Sequence, residues 1–98
     1  SAIVPMCSHI DHSEHSVNVL ITEQGVADLR GKDPRQRAAT IIENCVHPMY
    51  KEILWDYLKL AAKDGKMHTP HHLHAAFSLH ETFIDCGDMS QVDFAKYY

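Results

Sequence analysis

The chain has 98 residues, 45% of them hydrophobic and 22% charged, which predicts one small globular domain. A net charge of −4 with neutral histidines argues against a nucleic-acid-binding surface, and no apolar stretch approaches the ~20 residues of a membrane span. The three cysteines are an odd number at wide spacing, which argues against a disulfide framework. We therefore expect neither nucleic acid nor a membrane as a partner.

Two short apolar segments near the start of the chain are expected to form strands. The segment "AIVPM" contains Pro5, which limits it to a strand end or a sheet edge. The segment "VNVLIT" is rich in β-branched residues and predicts a strand buried on both faces, as in a parallel sheet. The following "GVADLRG" lies between two glycines and predicts a turn.

Three helices are predicted after these strands. The first begins with Asp33 as N-cap and Pro34 at the first helical position, and it ends near His47-Pro48. The second runs from about Met49 to Lys63, with Gly65 past its end, and the third runs from Thr69-Pro70 to Gly87. The inward face expected for the third helix consists of Leu73, Ala76, Phe77, His80 and Ile84.

Two strands followed by three helices predict an α/β architecture whose sheet is too small to stand alone. A two-stranded sheet is marginal in water, and a parallel strand needs neighbours on both sides. We therefore favour a fragment that completes a larger open sheet over an unusual small α+β domain. The serine-alanine opening, which lacks a methionine, is also expected of a piece excised from a longer chain.

The nine histidines raise the question of a metal site. Two sets have the spacing H-x-x-H-x-x-H: His9, His12 and His15, and His68, His71 and His74. Imidazole is a common zinc ligand, but this spacing matches no recognised zinc pattern, and such positions drift around a helix axis. We predict no metal site and interpret His80 as a hydrogen-bonded core residue. A small histidine-rich metal-binding or interaction module is the alternative function.

Glu23 stands where the apolar strand ends, and Gln24 and Gly25 follow it. In open α/β sheets, ligands bind just beyond the carboxyl ends of the strands. A glycine there lets a ligand approach the backbone closely. The same residues also follow many strands without any function, so this motif alone does not identify a site.

Taken together and in order, the segments resemble the C-terminal region of the acetyl-CoA hydrolase/CoA-transferase family, the class I CoA-transferases that include succinyl-CoA:acetate CoA-transferases. The matching motifs are "IVPM", "HIDHSEH", "TEQGVADLRG", "PRQRA", "IIENC" and "HPMYKEIL", and the resemblance continues through "HTPHHL" and "FSLHETFIDCGDM". It implies that residues 1–98 are the C-terminal part of the second α/β domain of such an enzyme and not a complete domain.

The resemblance also implies an activity. Family members move CoA between an acyl-CoA, such as acetyl- or succinyl-CoA, and a carboxylate through a glutamyl-CoA thioester. The nucleophilic glutamate lies upstream of this region, so the chain alone is expected to be inactive. Glu23 would then be a supporting catalytic residue and not the nucleophile, with Gln24 and Gly25 in the CoA pocket.

The resemblance implies no cofactor other than CoA as a substrate, and no metal. The expected partners are the remainder of the same enzyme, the acyl-CoA and carboxylate substrates, and a second subunit in a homodimer. A mitochondrial location is expected, with a cytoplasmic one as the alternative. The sequence does not distinguish a hydrolase, in which water accepts the acyl group, from a transferase.

Overall fold

The computed structural model describes residues 1–63 and 71–97, in which a β-hairpin is followed by three α-helices. The strands are β1 (Val19–Thr22) and β2 (Gly25–Asp28). The helices are α1 (Pro34–Cys45), α2 (Pro48–Ala62) and α3 (Ser78–Cys86), and two 3-10 turns follow at Met89–Gln91 and Ala95–Tyr97. The predicted α/β order of two strands and then three helices is confirmed. None of the described helices is both long and apolar enough to cross a bilayer.

The two strands pair antiparallel and are joined by a two-residue turn, with Thr22 opposite Gly25 at the tip. The prediction of a parallel strand over residues 17–22 was therefore wrong. The prediction of a turn over residues 25–31 was also wrong, because the first four of these residues are β2. An antiparallel pair needs only a short connection, whereas a parallel pair needs a crossover of a dozen or more residues.

The hairpin is buried on one face only, contrary to the prediction that both faces would be buried. Leu20 and Ala27 point towards α1, and Ala27 is completely buried. On the other face, Val19, Ile21 and Val26 have exposed fractions of 42%, 72% and 55%. The hairpin therefore presents an uncovered apolar surface made of these three side chains.

Residues 2–6, which were predicted to form a strand, have no strand conformation. Pro5 has no backbone N–H to donate to a neighbouring strand, which weakens any pairing of this segment. Ile3 and Val4 instead pack as partly buried side chains against the helical core. The second strand of the sheet is β2 and not this N-terminal segment.

Helix α1 begins where the sequence predicts it. Asp33 is the N-cap, and its carboxylate accepts a hydrogen bond of 2.8 Å from the Gln36 N–H. The Gln36 side chain in return accepts a hydrogen bond of 3.0 Å from the Asp33 N–H, which completes a capping box. Ile42 and Cys45 are the buried residues of the helix.

Helix α2 follows α1 almost directly. It starts at Pro48, one residue before the predicted start, and Lys63 is its C-cap. His47 is the N-cap, and its Nδ1 accepts a hydrogen bond of 3.1 Å from the Met49 N–H. The predicted role of Gly65 after this helix lies outside the described residues.

The predicted inward face of the third helix was right for Ala76 and wrong for most of its other members, and the predicted start at Thr69-Pro70 lies outside the described residues. Helix α3 begins only at Ser78, because residues 73–77 form successive turns with hydrogen bonds between residues three apart. These turns shift the buried face to Ala75, Ala76 and Leu79. Leu73 and Ile84, predicted to be inward, are 77% and 80% exposed.

The helical core lies between α2, α3 and the segments that pack on them. Its most completely buried large side chains are Leu60, Leu79 and Val46. Phe94, which lies between the two 3-10 turns, also packs into this core. A smaller cluster of Ala27, Leu29 and Cys45 fastens the hairpin to α1.

Candidate functional site at the hairpin tip

Glu23 and Gln24 form the two-residue turn between β1 and β2, and both are exposed. Two-residue hairpin turns usually require a positive φ within the turn. No described residue other than glycine has a positive φ, so the turn residues themselves do not supply it. Gly25, directly after the turn, has a φ of +156°, a backbone conformation that residues with a side chain rarely adopt.

The turn is fastened to the C-terminal end of α1 through Thr22. The Thr22 hydroxyl donates a hydrogen bond of 2.8 Å to the carbonyl oxygen of Cys45. The same hydroxyl oxygen accepts a hydrogen bond of 3.2 Å from the Gln24 N–H. One half-buried side chain therefore contacts both the turn backbone and the helix.

Gly25 and Cys45 add a second contact between the hairpin and α1. The Cys45 Sγ lies 3.5 Å from the Leu20 carbonyl oxygen and 3.7 Å from that of Gly25. A Cβ atom at Gly25 would lie 2.5 Å from the Asn44 carbonyl oxygen. Only a glycine lets the strand approach the helix this closely. Cys45 itself is buried, with an exposed fraction of 3%.

The Glu23 carboxylate projects from this fixed turn and does not line the apolar cavity that lies among the described residues. That cavity, of about 190 Å³, lies between the N-terminal segment, α1 and α2, and Ile3, Ile42 and Leu54 are among its lining residues. Gln24 and Gly25 also lie away from it. The predicted roles of Glu23, Gln24 and Gly25 in a CoA pocket stay predictions.

The polar wall of the apolar cavity consists of Tyr57 and His71, whose hydroxyl oxygen and Nδ1 are 2.8 Å apart. The Tyr57 oxygen also accepts a hydrogen bond of 3.3 Å from the His72 N–H. Burial lowers the pKa of His71 and, for the phenol, raises the pKa of Tyr57. A hydrogen bond therefore joins the Tyr57 hydroxyl to the His71 ring, and burial favours the uncharged form of both groups.

A charged pair lies at the base of β2. The Arg30 guanidinium donates hydrogen bonds of 3.0 and 2.8 Å to the two carboxylate oxygens of Asp28. These bonds, together with one from the Arg30 N–H, hold the pKa of the Asp28 carboxyl well below its usual range. The pair is exposed, and each charged group is paired with the other. Binding a substrate to either group would therefore break this ion pair.

The histidines do not form a metal-binding cluster within residues 1–63 and 71–97, where no three His, Cys, Asp or Glu side chains are grouped to hold an ion. His9 is exposed and its Nε2 lies 3.0 Å from the Asp11 carboxylate. His68 lies outside the described residues. His80 was interpreted as a hydrogen-bonded core residue, but it is half-buried and its Nδ1 has no partner among the described residues, so that interpretation was wrong.

Sequence reasoning missed two anchoring side chains near this site, Thr22 and Arg37. The Arg37 guanidinium donates hydrogen bonds to the carbonyl oxygens of Lys32, Glu14 and Val17, at 3.1, 2.8 and 3.0 Å. It thereby ties the histidine-rich loop to the start of α1. Neither residue could have been identified from local patterns, because their partners are distant in sequence.

Residues 1–58 match the family model described as acetyl-CoA hydrolase/transferase C-terminal domain. The chain is 57% identical over 89 residues to the succinyl-CoA:acetate CoA-transferase of Clostridium kluyveri, covering 91% of this chain and 16% of that protein. It is 58% identical over 89 residues to the propanoyl-CoA:succinate CoA transferase of Escherichia coli, with 91% and 18% covered. With the acetyl-CoA hydrolase of Neurospora crassa it shares 44% identity over 98 residues, with 96% and 19% covered.

The chain thus spans less than a fifth of the length of these relatives, all of which are named as enzymes that act on CoA thioesters. The matched region includes the hairpin, its turn, α1 and most of α2. The family resemblance inferred from the motifs is confirmed. This chain belongs to the acetyl-CoA hydrolase/transferase C-terminal domain family.

Proposed function

We propose that this chain is the C-terminal part of an enzyme that moves CoA between an acyl-CoA and a carboxylate, with Glu23 at the edge of the active site. Relatives named as CoA-transferases and as acetyl-CoA hydrolases support this reaction class. The observation that carries the proposal is the turn of Glu23 and Gln24. It lies inside the family-matched region, is fixed at its base to α1 and presents the exposed side chain of Glu23 at its tip.

The proposed reaction begins on a glutamate in the remainder of the enzyme. Its carboxylate oxygen attacks the acyl-CoA carbonyl carbon, the C–S bond breaks, and CoA leaves as the thiolate. The thiolate then attacks the glutamyl carbonyl of the resulting anhydride, forming a glutamyl-CoA thioester and releasing the acyl group as a carboxylate. A second carboxylate reverses these steps in a transferase, and water cleaves the thioester in a hydrolase.

Glu23 would serve this reaction as a supporting residue. A carboxylate accepts hydrogen bonds from N–H and O–H groups and so holds such donors in a fixed direction. Placed beside the thioester, it would orient donor groups of the pocket towards the carbonyl on which negative charge develops. Gln24, which can both donate and accept, and Gly25, which has no side chain, would form the adjoining wall.

The uncovered apolar face of the hairpin supports the proposal that this chain packs against the remainder of a larger enzyme. Val19, Ile21 and Val26 lie side by side on that face, and both hairpin edges lack a further strand among the described residues. Apolar side chains and open strand edges of this kind are normally covered in a complete sheet. The homodimer, the absence of a cofactor other than CoA, and the mitochondrial or cytoplasmic location stay proposals.

A domain graft tests this function. The matching region of the Clostridium kluyveri succinyl-CoA:acetate CoA-transferase is replaced by this chain, and CoA transfer from succinyl-CoA to acetate is measured. We expect the graft to be active and the isolated chain to be inactive, because the proposed nucleophile lies outside the chain. A graft that melts cooperatively like the parent enzyme but transfers no CoA would contradict the proposal.

The role of Glu23 is tested in the same graft by Glu23→Gln, which keeps the side-chain shape and removes the charge. Loss of one preorganised electrostatic contact typically lowers kcat on the order of 10²-fold, and we expect a loss of that size. Glu52→Gln, at an exposed position of α2, is the matched control and should leave kcat unchanged. Full activity of the Glu23→Gln graft would refute the assignment.

A further inference from the structure

The carbonyl oxygen of Cys45 belongs to the last turn of α1, where no backbone N–H of the helix remains to pair with it. The Thr22 hydroxyl supplies that missing donor. The Gln24 N–H, at the hairpin tip, uses the same hydroxyl as its acceptor. One oxygen atom therefore satisfies a helix end and a turn, and it fixes the distance between them.

The neighbouring contacts leave this arrangement little freedom. Gly25 touches the Asn44 carbonyl so closely that a Cβ would not fit, and the Cys45 thiol lies against two strand carbonyls. These contacts hold β1 and β2 against α1, but none of them reaches the turn residues directly. Of the contacts described here, only the hydroxyl of Thr22 joins the backbone of the turn to the helix.

We propose that Thr22 is a positioning residue, whose hydroxyl sets the place of the Glu23 carboxylate by holding the turn backbone on the end of α1. The inference rests on the proposed function of Glu23. Valine has almost the same shape as threonine but no hydroxyl, so Thr22→Val removes both hydrogen bonds and leaves the packing volume unchanged. The turn then moves relative to the helix, and the carboxylate moves with it.

The experiment uses the active graft with four variants: Thr22→Val, Thr22→Ser, Glu23→Gln, and Thr22→Val combined with Glu23→Gln. Displacing a catalytic group by about 1 Å can cost up to 10²-fold in rate, and we expect Thr22→Val to lower kcat by about tenfold. We expect Thr22→Ser, which keeps the hydroxyl, to restore kcat. Combined with Glu23→Gln, Thr22→Val should cause no further loss, because Thr22 acts through Glu23.

The outcomes separate the two proposals. If Glu23→Gln lowers kcat and Thr22→Val does not, the positioning role is overturned and the function of Glu23 stands. If the two losses multiply in the double variant, Thr22 acts independently of Glu23 and the inference is also overturned. If Glu23→Gln has no effect, both proposals fail.

Two further measurements guard against a purely structural effect. Hydrogen exchange of the Gln24 amide should be slow with threonine or serine at position 22 and fast with valine, which reports the bond itself. If the Thr22→Val graft does not fold, the Thr22→Ser graft is measured instead. A tenfold loss of kcat in the Thr22→Ser graft overturns the inference. A merely structural role would change the melting temperature without producing the dependence on Glu23.

Discussion

Replacing Gly25 with alanine should destabilise the chain far more than the same change at Gly31. Both glycines have positive φ values, +156° and +71°, so an alanine at either position adopts a strained backbone. That strain costs about 1–2 kcal/mol at an ordinary left-handed position and about 1–3 kcal/mol in less populated regions. Apart from Gly31 and its two chain neighbours, no described residue has an atom within 4 Å of a Cβ at position 31, so this backbone strain is the whole expected cost of Gly31→Ala.

At Gly25 a second cost is added. The new Cβ would lie 2.5 Å from the Asn44 carbonyl oxygen, well inside the 3.0 Å that real Cβ atoms essentially never cross. Because that oxygen belongs to the backbone of α1, the strand and helix must separate, and such overpacking costs about 1–3 kcal/mol more. The total for Gly25→Ala is about 2–6 kcal/mol. The overpacking term of about 1–3 kcal/mol, which Gly31→Ala lacks, corresponds to a further drop in Tm of at least about 4 °C in a domain of this size.

Urea unfolding of the 98-residue chain provides the assay, because Trp55 is the single tryptophan and packs against the helical core. The midpoint and slope of each transition give the free energy of unfolding for the wild type and both variants. An unchanged slope of the free energy against urea concentration shows that the substitution changed the stability and not the surface exposed on unfolding. Equal losses for Gly25→Ala and Gly31→Ala would refute the close approach of β2 to α1.

Two further predictions concern the core and the cavity. Leu79→Ala should cost about 2–5 kcal/mol and Ile84→Ala less than about 0.5 kcal/mol in the same urea assay, because only Leu79 is buried; equal losses would contradict the inward face of α3. Burial lowers the pKa of His71 in the folded state, so the unfolded chain, with a pKa near 6.5, binds that proton first. The stabilising contribution of His71 should therefore be complete above pH 6.5 and should be lost as the pH falls below it. His71→Gln should weaken this dependence of the free energy of unfolding on pH. An unaltered pH dependence in that variant would contradict the assignment of His71 as a buried, uncharged side chain.

The parts of the fold that depend on neighbouring residues could be predicted from the sequence. Asp33, Pro34 and Gln36 specify the start of α1 through contacts within one turn, so the cap could be recognised without knowing the rest of the fold. The family resemblance likewise depended on short motifs in a fixed order. Both kinds of signal are contained in the local sequence.

The hairpin could not be predicted in the same way. The turn of Glu23 and Gln24 lacks the Asn-Gly or Asp-Gly pair that usually marks a two-residue hairpin connection, so β2 was interpreted as a turn between glycines. A glycine is needed at position 25 because the strand contacts α1 closely there, and the hydrogen-bond partner of Thr22 is 23 residues away in the sequence. Such contacts exist only after the hairpin has packed on the helix.

The prediction of the inward face of α3 was largely wrong for a related reason. An apolar pattern predicts a face only if the helix is continuous, and residues 73–77 form turns instead. Each such turn rotates the following residues relative to an ideal helix, so Leu79 becomes the buried residue and Ile84 becomes exposed. The phase of a helix depends on where its first turn begins.

Arg37 recognises the histidine-rich loop only through main-chain oxygen atoms, those of Glu14 and Val17. Every amino acid has a main-chain carbonyl oxygen, so these hydrogen bonds from Arg37 do not depend on which side chains the loop carries. The loop can therefore exchange its histidines for other residues and keep its path across the protein. A library randomised over residues 9–16 should yield folded proteins with new surface chemistry, whereas a library that varies position 37 should not.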